Sequence, residues 1–191
     1  MKREIKPYKQ NGPTCAIACM MMALFSNGII DDYSKEEEMR LYDMYKSKVL
    51  GGTPFSALAL HLGKNGLKTE LYHSEKNYFS NKERLIPEDS FNKALEEYKT
   101  YIKEAKEYGL EVYNGVDINT KLLKEKLDQD NLIILAGMCE DFLHAVLLCG
   151  YDEEGFYLYD PLYNEKKHRS YDLIEFYMTT DIGKWFLTVK N

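Results

Sequence analysis

The sequence predicts an α+β fold with N-terminal helices packed on a mostly antiparallel sheet. Three observations carry this. Residues 15–63 hold three segments with helix start and stop signals. The last third changes to short apolar strands at 131–137, 145–151 and 156–160. Helices followed by strands, rather than alternating with them, argue against a parallel doubly wound sheet. The 191 residues, 45% hydrophobic, suffice for one domain with a proper core, taken here as residues 1–191.

Residues 4–6 are expected as a short strand ended by Pro7. Asn11-Gly12-Pro13 cannot continue a helix, and Thr14 stands as N-cap before the apolar run Cys15 to Phe25, which Ser26-Asn27-Gly28 closes. The second helix spans 31–48 with Ser34 as cap. Met39, Leu41, Met44 and Tyr45 share one face, and Glu36-Glu37-Glu38 reads as a solvated first turn. Thr53-Pro54 starts a third helix over 55–62, and residues 67–72 alternate as a half-buried strand. Residues 78–109 form a long amphipathic helical insert. Leu95, Tyr98, Tyr101, Ile102 and Ala105 form its apolar stripe against the core, and a lid or partner surface is the other reading. A strand at 110–113 and a short helix at 122–127, capped by Asp117 or Asn119, lead into the sheet. Residues 169–177 are expected as the last helix and 184–189 as the closing strand.

The net charge is −6 and no basic stripe with interleaved aromatics occurs, so nucleic acid is not an expected partner. No run approaches the length of a membrane span. The basic start and apolar run imitate a secretory signal, but residues 10–13 interrupt it and no small-residue cleavage site follows, so a cytoplasmic location is expected. The 16 tyrosines are expected to bury ring area with the hydroxyl left wet. Cys15, Cys19, Cys139 and Cys149 lack the pattern of a disulfide scaffold. A metal site from Cys15, Cys19, Cys139 and His144 lacks zinc-ribbon spacing, so reduced thiols, no metal and no cofactor are expected. His61 and His73 have no spaced partner, and His168 reads as an exposed loop residue.

Cys15 would sit in the first turn of its helix, where unpaired N–H groups and the positive dipole end favour a thiolate. Gln10 is placed to aim its amide at the same point. His144 opens the strand at 145–151, and sixteen residues on the next strand ends in Asp160-Pro161. A hairpin of those strands would set imidazole beside carboxylate, as a thiol nucleophile and its base require. Taken singly, each residue is more often structural: a core cysteine, a strand-end histidine, a turn aspartate. Together they fall at the ends of elements, where a site can form. Cys19, one turn further into an apolar helix, is expected to be buried and inert, and Cys139 and Cys149 structural.

Two segments carry a specific resemblance. Gln10-Asn11-Gly12-Pro13-Thr14-Cys15 and His144-Ala145-Val146-Leu147-Leu148-Cys149-Gly150-Tyr151-Asp152, followed by Asp160-Pro161, resemble the C39-like branch of the papain-like cysteine peptidases. The helix-then-strand segments at 53–72 and 117–137 are also similar to that family, whereas 78–109 is not matched. Ala16 stands where the family usually has glycine, and Thr14 where it often has Asp or Gly. The resemblance implies a papain-like fold, with Cys15 as nucleophile, His144 as general base and Asp160 orienting it. Gln10 and the Cys15 N–H would form the oxyanion hole. A peptide or protein substrate would pass through a thioester acyl-enzyme. Hydrolysis is the leading expectation. The alternatives are acyl or peptidyl transfer at the same site, a non-catalytic peptide-binding module, and a plain α+β domain with buried thiols.

Overall fold

A computed structural model describes residues 4–76, 87–180 and 183–191. The helices are α1 (Cys15–Ser26), α2 (Lys35–Tyr45), α3 (Phe55–Lys64), α4 (Glu88–Lys106), α5 (Thr120–Asp128) and α6 (Tyr171–Met178). The strands are β1 (Lys68–His73), β2 (Glu111–Asn114), β3 (Leu132–Cys139), β4 (Phe142–Tyr151), β5 (Gly155–Asp160), β6 (Glu165–Ser170) and β7 (Trp185–Lys190). They form one sheet of order β2-β1-β7-β3-β4-β5-β6. Only the β1–β2 pair is parallel. The α+β expectation holds.

Side-chain alternation divides the sheet between two cores. Leu71, Leu187, Ile134 and Leu147 lie in register across β1, β7, β3 and β4 and face the N-terminal helices. Ile133, Leu135, Val146, Leu148 and Phe186 turn to the opposite face, where Leu123 of α5 and Ile174 and Met178 of α6 cover them. Helix α1 is buried on every side except at its two ends, which is why its apolar residues run without a polar stripe. Met20, Met21 and Met22 are each fully buried, worth about 1.5–3 kcal/mol apiece. Helix α4 lies on α3 and buries Ala94 and Ala105, with Tyr98, Tyr101 and Ile102 packed on the main core. A Cβ at Gly63 would come within 2.8 Å of Tyr108 Cβ, so α3 and the end of α4 meet only because that position is bare.

Several expectations need correction. Residues 4–6 carry no strand, although Ile5 is buried. Pro54, not Thr53, occupies the cap position of α3, and the helix runs to Lys64. The supposed helix at 169–177 begins only at Tyr171. Residues 165–170 form β6, a polar outer strand on β5, and Ser170 caps α6 by accepting from Leu173 N at 3.4 Å. Of the two cap candidates for α5, Asn119 accepts from Leu122 N at 3.1 Å. The first part of the 78–109 insert, up to residue 86, lies outside the described residues.

Candidate active site

Cys15 is the first residue of α1 and is partly exposed. The loop before it is held from two sides. Gln10 N donates to Pro161 O at 2.9 Å, which ties the loop to the strand end that carries Asp160. From α2, the fully buried Glu38 accepts from Tyr8 OH at 2.8 Å, Asn11 N at 3.0 Å, Asn11 Nδ2 at 2.6 Å and the Thr14 hydroxyl. Thr14 occupies the cap position, but its hydroxyl serves Glu38 rather than an N–H of α1. The reading of Glu38 as part of a solvated turn is therefore wrong. Glu38, Leu41 and Tyr45 are the buried residues of α2, and their i, i+3, i+7 spacing was the sequence signal for an inward carboxylate.

His144 lies on β4 opposite Gly137 of β3, and Asp160 ends β5. The hairpin brings them together as expected, with His144 Nε2 2.9 Å from Asp160 Oδ1 and both residues buried. Asp160 Oδ1 also accepts from Leu162 N at 3.0 Å, and Oδ2 from Lys167 Nζ at 3.2 Å. Tyr177 OH donates to His144 O at 2.7 Å, fixing the backbone behind the ring. That tyrosine lies against β3 only because residue 137 is glycine, since a Cβ there would run into its ring. Lys167 and Tyr177 were not foreseen: one lies on a strand read as loop, and the other reaches the site through a backbone carbonyl.

His144 Nδ1, the ring nitrogen that Asp160 leaves, is buried on the side of the Cys15 thiol. Burial disfavours the imidazolium, but the Asp160 hydrogen bond and the Cys15 thiol beside the ring favour it more, and the imidazole pKa is raised to about 9. Burial works against the Asp160 carboxylate, yet hydrogen bonds from His144, Leu162 N and Lys167 together with the His144 charge hold it below the usual range. Gln10 Nε2 donates to Gly12 O at 2.6 Å, and its Oε1 is buried without a partner. A primary amide has two N–H groups, which leaves one for another acceptor.

The other thiols differ. Cys19 is fully buried with Sγ 3.5 Å from Ala145 O, and burial pushes its pKa well up. Burial also raises Cys139 and Cys149. His168 is not in a loop: it pairs with Tyr157 across β5–β6, and its Nε2 lies 3.0 Å from Asp152 Oδ1. His73 is buried with Nε2 3.1 Å from Tyr98 OH, and His61 Nδ1 lies 3.2 Å from Tyr45 OH. Among the described residues, no group of three or more His, Cys, Asp or Glu is arranged to hold a metal ion, and no helix is long and apolar enough to cross a membrane.

The model of the Peptidase C39 like family matches residues 2–186, nearly the whole chain. A search of curated proteins finds no match. The helices and seven-stranded sheet accord with the papain-like fold of that family.

Proposed function

The chain belongs to the Peptidase C39 like family of cysteine-peptidase type, and on that premise we propose that it hydrolyses a peptide-like amide with Cys15 as nucleophile. The observation that carries this is the buried His144–Asp160 pair, 2.9 Å apart, with the Cys15 thiol beside the same imidazole. With Nε2 engaged by Asp160, Nδ1 is the edge left for the sulfur and for the leaving amine.

The Cys15 thiolate attacks the carbonyl carbon, forming the C–S bond and moving the C=O electrons onto oxygen. The free amide N–H of Gln10 and the backbone N–H of Cys15 stabilise that oxyanion. On collapse the C–N bond breaks and the leaving nitrogen takes the His144 proton. The neutral imidazole then removes a proton from water, whose oxygen displaces sulfur from the thioester. The acid departs, and thiolate and imidazolium are restored. An amine in place of water gives transfer by the same steps. Asp160 keeps the ring oriented and favours its protonated form, and Lys167 and Leu162 N hold Asp160. The reading takes residues 1–191 as one peptidase domain with 78–109 as an insert.

Acylation by p-nitrophenyl acetate tests it. Wild type should release nitrophenolate with an acetyl group found on Cys15. Cys15→Ala should form no adduct, and His144→Ala should slow acylation by roughly 10²–10⁴. Acetylation at another cysteine, or an unchanged rate in His144→Ala, would refute the assignment.

A further inference from the structure

A cavity of about 740 Å³ opens beside Cys15 and His144. Its walls include Leu50, Phe55, Phe142, Leu143, Tyr98 and Trp185. Leu50, Phe142 and Leu143 are large apolar side chains left exposed, at 43%, 45% and 45%. Apart from His144, Glu97 is the one charged side chain among the described residues lining it, and its carboxylate is occupied. Ser47 Oγ donates to Glu97 Oε2 at 2.6 Å, and Lys48 N to Oε1 at 3.1 Å. That clamp fastens α4 to the 47–52 segment, so Ala94 and Tyr98 of α4 become a wall of the cavity. Gln10 and Thr53 complete the wall on the side of Cys15.

We propose that this cavity seats the acyl part of the substrate and selects a bulky apolar side chain, leucine- or phenylalanine-like, over a charged one, with α4 as the wall that sets the choice. The proposal rests on Cys15 being the nucleophile: when the C–N bond breaks, the acyl group stays on Cys15 Sγ, and this is the cavity that Cys15 lines. A charged side chain would lose hydration against those apolar walls, where the one carboxylate, Glu97, already has its oxygens tied to Ser47 and the Lys48 N–H. A phenyl or isobutyl group would leave water for an apolar wall.

The test compares alkylation of Cys15 by tosyl-phenylalanine chloromethyl ketone and tosyl-lysine chloromethyl ketone, where sulfur displaces chloride, each divided by the rate with iodoacetamide. Peptide mass spectrometry identifies the modified cysteine. The phenylalanine reagent should lead by about ten-fold or more. Ala94→Phe, which fills the cavity from α4, should reduce that lead about ten-fold while the iodoacetamide rate holds. Leu50→Glu, at an exposed rim position that does not threaten folding, should move the preference toward the lysine reagent. A Cys15 that reacts with iodoacetamide but shows equal rates with both ketones, or a lead that survives both substitutions, would overturn the proposal and leave the nucleophile standing. A Cys15 inert to iodoacetamide would overturn both.

Discussion

Glu38→Ala is the most informative substitution away from the reacting groups. The carboxylate accepts four hydrogen bonds, from Tyr8 OH, Asn11 N, Asn11 Nδ2 and the Thr14 hydroxyl, all on the segment leading into Cys15. A hydrogen bond to a charged group is worth about 1.5–3 kcal/mol, and the gross sum is offset by several kcal/mol for burying the carboxylate. Removing the acceptor also leaves Asn11 and Thr14 donors facing a void. The net loss works out to about 3–5 kcal/mol, or roughly 10 °C in Tm for a chain of this size. Glu38→Gln keeps the shape but turns an amide NH₂ toward the Asn11 donors, so an intermediate loss of about 1–2 kcal/mol follows. Urea titration measures stability, and iodoacetamide measures Cys15 reactivity below the denaturation midpoint. Both variants should slow alkylation of the folded protein, with Gln recovering part of the Ala defect. Stability within about 0.5 kcal/mol of wild type and unchanged Cys15 reactivity would show that the buried carboxylate neither anchors the loop nor positions the nucleophile.

Further outcomes follow from the same geometry. The His144 pKa is raised to about 9 against an ordinary value near 6.5, so its contribution to stability is fully present below about pH 6.5 and is lost as pH rises through 9. Asp160→Asn removes a main support of the imidazolium. It should shift the alkaline limb of acylation to lower pH and flatten the fall in stability between those values; an unmoved limb would refute Asp160 as the partner. Cys19, buried against Ala145 O, should resist iodoacetamide in the native state while Cys15 reacts, and a reversed order would exchange their roles. Tyr177→Phe loses the 2.7 Å bond to His144 O and should cost about 0.5–1.5 kcal/mol in thermal unfolding, with a measurable drop in acylation; no change in either would remove it from the site.

The parts of the fold that were legible in the sequence had one environment along their length. Helix α1 is enclosed except at its two ends, and residues 132–136 of β3 and 145–148 of β4 are buried on both faces, so those stretches are continuously apolar. Strand β6 was missed because Glu165-Lys166-Lys167-His168-Arg169-Ser170 is an outer strand with only one neighbour, where polar residues are favoured and no alternation is imposed. Of the four residues expected at the site, Cys15 opens α1 and Asp160 closes β5, so the signals that bound those elements also pointed to them, whereas His144 lies two residues inside β4 and Gln10 in the loop before α1. Lys167 was not legible, because what packs over one charge among charges is decided by tertiary structure; Glu38 did carry a signal in its spacing with Leu41 and Tyr45, hidden by the run of three glutamates. Caps show the same limit: Thr14 holds the cap position of α1 without a capping hydrogen bond, and Pro54 takes the position expected of Thr53.

The central claim is that Cys15 and His144 act as one unit. The most direct measurement is iodoacetamide alkylation of Cys15 across pH, followed by peptide mass spectrometry in wild type and His144→Ala. At about pH 7 the wild-type thiol should react at least about ten-fold faster than the variant, because the imidazolium beside the sulfur favours its nucleophilic form, and the difference should shrink as pH rises through about 9 and the His144 ring loses its proton. Matching profiles in the two proteins, or a Cys15 that does not react, would contradict the account.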